Sequence, residues 1–469
     1  MIPKRYRPKL FQGWTMRAWY LKNKNASELP PESSSVFNEE YATETESNAV
    51  EVLLTGISDG SQTVFTEEVL PVVEGVEYSE FLGVYDVTAD TGVRTLASPT
   101  KITDKYVDGA IVMHYNSETD TWEKVEDVEI VDGYVWATFE SLSPVAVYVY
   151  RRKMYTKEAH NRSFLVANGL PVTITSSETE GKVVVTDVLG NSIECDSNIS
   201  IVGGTLDENS VLEETNVVLE SGTVKDIIGG SVNYKGEQAC VEHVIVTING
   251  GTVTNIVDAG IHKVRVYESD ITINDGTVKY VSSGIMSSDS VQGDCNNGVA
   301  NLESPAYVLD ACIVVNGGNV GFVYSGGNSG FGYIKESSCI INNGTFEYVL
   351  GPSNGIVEKL NITITDGTFN IVQSVNRGLV KEVLFDISGG TIDKFFLGGD
   401  ATDTTVNGKV ETVNAMITGG VMNLYPGTNA GVSITPTDNI IKNVKVNNGV
   451  EVTYMENFQT DFASIIEVV

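Results

Sequence analysis

Proline, histidine and cysteine are scarce in this 469-residue chain, at 12, four and five residues. Forty-six glycines beside so few prolines exclude collagen-like and disordered compositions and indicate a turn-rich β protein. The cysteines (195, 240, 295, 312 and 339) are odd in number and lack Cys-x-x-Cys spacing. Free thiols in an apolar interior, made under reducing conditions, are therefore expected over a disulfide or metal site. Histidines 114, 160, 243 and 262 show no metal-ligand spacing, so surface roles are expected and no metal or cofactor is called for. No apolar run approaches the ~20 residues of a membrane-spanning helix. Basic residues are also few, 30 against 62 acidic, for a net charge of −32. An acidic body repels nucleic acid and anionic membrane, so neither is an expected partner.

What the chain does have is a recurring phrase: apolar–x–apolar, a small polar pair, Gly, Thr and another apolar residue. Copies are Ile201-Val-Gly-Gly-Thr-Leu206, Ile248-Asn-Gly-Gly-Thr-Val253, Ile273-Asn-Asp-Gly-Thr-Val278, Ile341-Asn-Asn-Gly-Thr-Phe346, Ile364-Thr-Asp-Gly-Thr-Phe369 and Ile387-Ser-Gly-Gly-Thr-Ile392. Looser copies begin at Leu219, Val315 and Ile417. The last turn glycines fall at 204, 222, 251, 276, 318, 344, 367, 390 and 420, with steps that vary from 18 to 42 residues. Leucine-rich, ankyrin and tetratricopeptide repeats hold a nearly constant period, so they are excluded, and a β-solenoid with one elastic loop is indicated. Alternation as in Ile271-Thr-Ile273 is strand periodicity, and Gly with Asn or Asp supplies the positive φ of a sharp corner. Three short strands and three turns per rung are expected. At ~4.8 Å per rung, nine rungs make a rod on the order of 40 Å long. Antiparallel hairpins joined by Asn-Gly turns are the alternative. Against them, a second glycine turn follows each phrase after about six residues.

The rung pattern over residues 166–445 resembles the right-handed parallel β-helix proteins. That superfamily includes pectate-lyase-like enzymes, bacteriophage tailspikes and fibres, and bacterial surface proteins. The resemblance implies an all-β architecture and says little about chemistry. The polygalacturonase-like set of Asn-Thr-Asp, Asp-Asp, Gly-His-Gly and Arg-Ile-Lys does not occur in this sequence. A pectate lyase needs calcium-binding aspartates with an arginine, and the rungs offer only Arg265 and Arg377. Acids such as Asp258, Asp275, Glu347, Asp366, Asp386 and Asp393 are numerous enough for pairs to stack by chance. No catalytic residue is therefore assigned, and no enzyme activity is expected.

Upstream, residues 1–21 combine Arg5, Tyr6, Arg7, Phe11, Trp14 and Trp19. Seven of the 30 basic residues lie in 1–24, leaving 23 against 62 acids elsewhere. Aromatic plus arginine is a hot-spot composition, so this segment is read as a docking peptide rather than a first strand of the next domain. Residues 22–48 have linker composition. Residues 49–150 carry short strands at regular spacing, and Tyr115–Lys124 with Phe139–Val147 resemble the closing hairpins of immunoglobulin-like sandwiches, without their Cys…Trp…Cys set. Residues 151–165 are a basic connector. Residues 446–469 are an apolar finish that caps the last rung or contacts another subunit.

Together with the resemblance, this order implies a bacteriophage head fibre or tail-associated fibre. It would be made in the host cytoplasm, exposed on the virion, docked on capsid or tail proteins, and homotrimeric. Recurrent aromatics, among them Tyr280, Tyr324, Tyr348 and Phe396, either stack inside the helix or line one wall for host-surface glycan. A polysaccharide depolymerase or lyase and a bacterial surface adhesin are the rival readings.

Overall fold

The computed structural model describes strands 36–37, 52–57, 76–88 and 95–97, and residues 101–469 apart from 104–105, 117, 120, 139–144, 236–237, 287–305, 328–331, 354, 401–407 and 456. The chain divides into two compact units, Met1–Lys153 and Met154–Val469.

In the first unit, Val36–Phe37, Val52–Ile57, Val76–Thr88, Val145–Arg152, Val107–Asn116 and Thr121–Lys124 are neighbours, in that order, in one antiparallel sheet. Thr95–Ala97, Tyr134–Thr138 and Val128–Val131 form a second. Val112, Val147 and Val149 of the first sheet share an apolar core with Val131, Val135 and Trp136 of the second. Two hairpin turns show their local chemistry. Asp132 and Gly133 both have positive φ (51° and 83°), as a two-residue hairpin requires. The Asn116 side-chain oxygen accepts from Glu118 N and Thr119 N, closing the turn at the next hairpin.

The second unit contains a parallel β-solenoid of about nine turns. Two long parallel walls run its length. The first wall stacks strands such as Val264–Ile273, Tyr307–Val315, Tyr333–Ile341, Ile356–Ile364, Leu379–Ile387 and Lys409–Ile417. The second stacks Thr277–Ser282, Asn319–Tyr324, Thr345–Leu350, Thr368–Gln373, Thr391–Phe396 and Val421–Tyr425. The glycine phrase joins the first wall to the second. In the early rungs the expected third strand is separate, with Val232–Asn233, Gly260–His262 and Ile285–Met286 paired in parallel; in the later rungs it is fused to the next first-wall strand, and a bend marks the join. In Ile356–Ile364, Val357 and Leu360 both face inward across two outward residues, Glu358 and Lys359.

The core follows from the stacking. Rows of mostly β-branched residues align at successive rungs: Val246, Ile271, Ile313, Cys339, Ile362, Phe385 and Ala415, with Ile248, Ile273, Val315, Ile341, Ile364, Ile387 and Ile417 beside them. All are buried. The turn glycines from 222 to 420 each have positive φ. At Gly318 (φ 86°) a Cβ would lie 2.6 Å from the Gly276 carbonyl oxygen, so the corner needs both the conformation and the missing side chain.

Gly204 is the exception. Ile201-Val-Gly-Gly-Thr-Leu206 reads like the other phrases but lies elsewhere on the rung. Ser200–Val202 is a second-wall strand, and Gly203 and Gly204 donate to Ile228 O and Gly230 O at the next corner along. Cys312 and Cys339, both expected in the apolar interior, are one residue out of register. Cys312 aligns with Ser338, and Cys339 with Ile313. A one-residue offset reverses the face, so Cys339 is fully buried and Cys312 only partly so. Cys195, Cys240, Cys312 and Cys339 are free thiols. Cys295 lies outside the described residues.

Both walls begin with antiparallel cover. Tyr155–Ala159 pairs with Arg162–Val166, and the hairpin Lys182–Asp187/Ser192–Asp196 pairs onto Val172–Ser176. At the other end Phe458 and Phe462 are buried, while Ile466–Val468 adds a last parallel strand to the first wall.

Candidate functional site

Outward positions form continuous rows along the walls, so a site on a regular wall is a row rather than a cleft. Three second-wall rows, set by distance from the turn glycine, hold the aromatics expected to contact glycan and their neighbours. Two residues on, Phe346 and Phe369 stack inside the core at 4.8 Å and 6°. Four residues on, Tyr280, Phe322 and Tyr348 stack outside, at 5.1 Å and then 4.6 Å with 8° between the last two rings. Six residues on come Tyr324, Leu350, Gln373 and Phe396, all buried.

This sorts the expected glycan contacts. Phe396 has no exposure and Tyr324 is 8% exposed, so neither is a platform for a sugar. Tyr280 and Tyr348 are half-buried, and each turns a ring face toward Phe322. The Lys279 ammonium lies 5.0 Å from the Tyr280 ring centre. A sugar packs on an aromatic face, and in this row the rings pack against one another between rungs. The row stabilises the wall, and its two tyrosines remain partly exposed.

The turn corners are similarly self-contained. Asn249 donates to Glu220, Asn274 to Asn249, Asn316 to Asn274 and Asn342 to Asn316, the last three at 2.7 Å. Asp275, Asn343 and Asp366 each accept from the glycine amide that follows. The aspartates among these are therefore turn-formers.

The first wall holds a charged row that sequence reasoning missed. Glu268, Asp310 and Glu336 are aligned in consecutive rungs, followed by Lys359 and Glu382. Burial first, then repulsion from Glu336, Glu268 and Asp270, raises the Asp310 carboxyl above the usual carboxylate range. His243, before Glu268 in the row, bonds Asp270 at 2.8 Å. The signal was available: Glu268, Asp310 and Glu336 each lie eight residues before a turn glycine, at 276, 318 and 344.

A second cluster gathers on the first rungs of the solenoid. The Tyr234 ring lies between His160 (4.0 Å) and His262 (3.9 Å). His160 bonds Asp207 Oδ2 at 2.7 Å, and Asp207 Oδ1 accepts from Tyr234 N. His160, Asp207 and His262 all have positive φ, a conformation that costs non-glycine residues energy. The surface role expected of every histidine is thus corrected: His262 is 5% exposed and His114 8%. In the adjoining second-wall strands, Asp226 accepts from Ser200 and Asn255 with no exposure. Asp258 is also fully buried, and its Oδ2 has no hydrogen-bond partner. Burial drives its carboxyl well above the ordinary range, against the opposing hydrogen bonds from Ala259 N and Ser282.

Arg5, Tyr6, Arg7, Phe11, Trp14 and Trp19 lie outside the described residues. Among the described residues no group of three or more His, Cys, Asp or Glu is arranged to hold a metal ion. Comparison with family models, curated proteins and solved structures finds no match.

Proposed function

We propose that this chain is a structural surface protein of the virion-fibre type, docked through residues 1–21 on capsid or tail proteins and holding out an acidic β-solenoid toward host-surface glycan. The N-terminal unit would be an immunoglobulin-like spacer, and the assembly a homotrimer. The observation that carries the reading is the pairing of side chains between rungs. Asparagines bond asparagines, inner rings stack on inner rings, and outer rings stack on outer rings. Rows satisfied in this way suit a rigid display rod. The basic, aromatic first 21 residues oppose in sign the acidic remainder, which suits an anchor separate from the displayed body.

Deleting residues 1–21 tests the docking claim. Loss of particle incorporation, with circular dichroism and melting temperature unchanged, is the expected outcome; unchanged incorporation would remove the anchor. Light scattering of the purified chain should give three times 50.5 kDa.

A second reading is favoured by the row around Asp310. Adjacent rungs lie ~4.8 Å apart and alternate rungs ~9.6 Å, close to the ~5–5.5 Å and ~6.5–9.5 Å carboxyl separations of retaining and inverting glycosidases. A raised Asp310 beside Glu336 matches the acid-and-partner pattern. Release of reducing ends from a capsule polysaccharide, abolished by Asp310→Asn, would move the chain to that class.

A further inference from the structure

The regular stacking is interrupted once near the end of the first wall, and the interruption leaves a pocket. Lys409–Ile417 is paired along its whole length with the preceding strand, from Leu379↔Lys409 to Ile387↔Ile417. On its other side Ile441–Val446 begins only opposite Val413. Beside Lys409–Thr412 the place of the next rung is taken by a short hairpin, Thr428–Asn429 with Val432–Ser433, and by the turn Pro436–Asp438. Asn429 Oδ1 accepts from Val410 N and Ala430 N donates to Gly408 O, which fastens the hairpin to the strand.

Between hairpin and strand is an open pocket of about 380 Å³. This is at the small end of ligand sites, about 300–1,000 Å³, and suits one ring rather than a chain. Its lining combines Lys409, Glu411, Ser433 and Asp438 with the apolar Val432 and Ile440. Among the described residues no ion pair joins Lys409, Glu411 and Asp438 to one another. Thr435 N and Oγ1 both donate to Asp438 Oδ2, so that residue is already oriented by its turn. Val432 at the rim is 69% exposed, a poor place for an apolar side chain with nothing over it. Two carboxylates and one ammonium give the pocket a net negative charge. It therefore selects against anionic ligands and favours a hydroxyl-rich ligand carrying a cation, with an apolar edge for Val432 and Ile440.

We propose that this pocket binds a single amino-sugar unit, its ammonium set between Glu411 and Asp438 and a hydroxyl on Lys409. The sugar class rests on the host-glycan reading above; the position of the pocket does not. The test is ligand-observed saturation-transfer NMR and titration of the full chain with D-glucosamine, D-glucose and D-glucuronate. Glucosamine is expected to bind best and glucuronate not at all. Glu411 is exposed, so Glu411→Gln should weaken glucosamine at least tenfold without changing the melting temperature, and Lys409→Met should weaken it less. Equal binding by the Glu411→Gln variant, preference for glucuronate, or no saturation transfer from any sugar would overturn the proposal. Were particle incorporation to depend on residues 1–21 all the same, the pocket would fall and the display reading would stand.

Discussion

The early and later rungs of the solenoid share a backbone lattice but fill it differently. In the second-wall row that buries Tyr324, Leu350, Gln373 and Phe396, the early rungs place Asp258 and Ser282. The row that carries Tyr280, Phe322 and Tyr348 is buried in the early rungs, where it holds Phe164, Ser200 and Asp226, the aspartate satisfied by that serine and an asparagine. The later rungs are stabilised by repeated, interchangeable contacts. Early rungs depend on particular hydrogen bonds and on the His160–Tyr234–His262 stack, and Asp258 is left incompletely paired. The corners hold the register in both regions, and what differs is how a lost side chain is felt. A buried polar group is costly when its partner is missing, whereas an apolar row loses area in proportion.

The largest single-residue effect is expected in the later rungs. Phe369→Ala removes a buried ring from the inner stack and should cost about 3–5 kcal/mol in denaturant unfolding. Phe322→Ala, in the half-buried outer row, should forfeit about 0.5–1.5 kcal/mol for each ring pair beyond its lost area. Gly318→Ala comes next. It forces a strained φ and meets a backbone oxygen, so it should cost on the order of 1–3 kcal/mol. Gly190→Ala, with a similar φ of 89° but nothing within 4 Å, should cost less, and the difference isolates the crowding between rungs.

Asp258 tests the early rungs through pH. Its folded carboxyl titrates above its unfolded value. Between about 4 and that raised value the unfolded chain releases the proton while the folded chain keeps it. Stability should therefore fall as pH rises through this window, by up to about 1.4 kcal/mol per pH unit. Asp258→Asn should abolish that component of the slope, as chemical denaturation across pH would show. The smallest effect is expected at the exposed corner ladder, where Asn316→Ala should cost about 1 kcal/mol.

The rungs were legible because a corner that requires positive φ writes a glycine into every turn, whatever the loop length. Rows were less legible, since a single residue of offset exchanges inside for outside. Cys312 and Cys339 illustrate this, while Phe346 inside and Tyr348 outside show a second obstacle, because the consecutive outward residues Glu347 and Tyr348 break the alternation. The phrase at Ile201–Leu206 misled because two glycines serve a different corner just as well. Two of the four expected glycan contacts, Tyr324 and Phe396, could not be seen to be buried without the register. The His160 cluster was illegible, because Asp207, Tyr234 and His262 converge only when the corners stack.

Both regions depend on rows held in parallel register, which thiol cross-linking can probe. Leu384 and Asn414 occupy one outward row on adjacent rungs, and Asn443 follows Asn414 one rung further on. Leu384→Cys with Asn414→Cys places two thiols ~4.8 Å apart along the wall, while Leu384→Cys with Asn443→Cys doubles that spacing. A short bifunctional thiol reagent, with sites mapped by mass spectrometry, should link the first pair and leave the second unlinked. Linking of the second pair in preference to the first, or of neither, would contradict the stacked-row account.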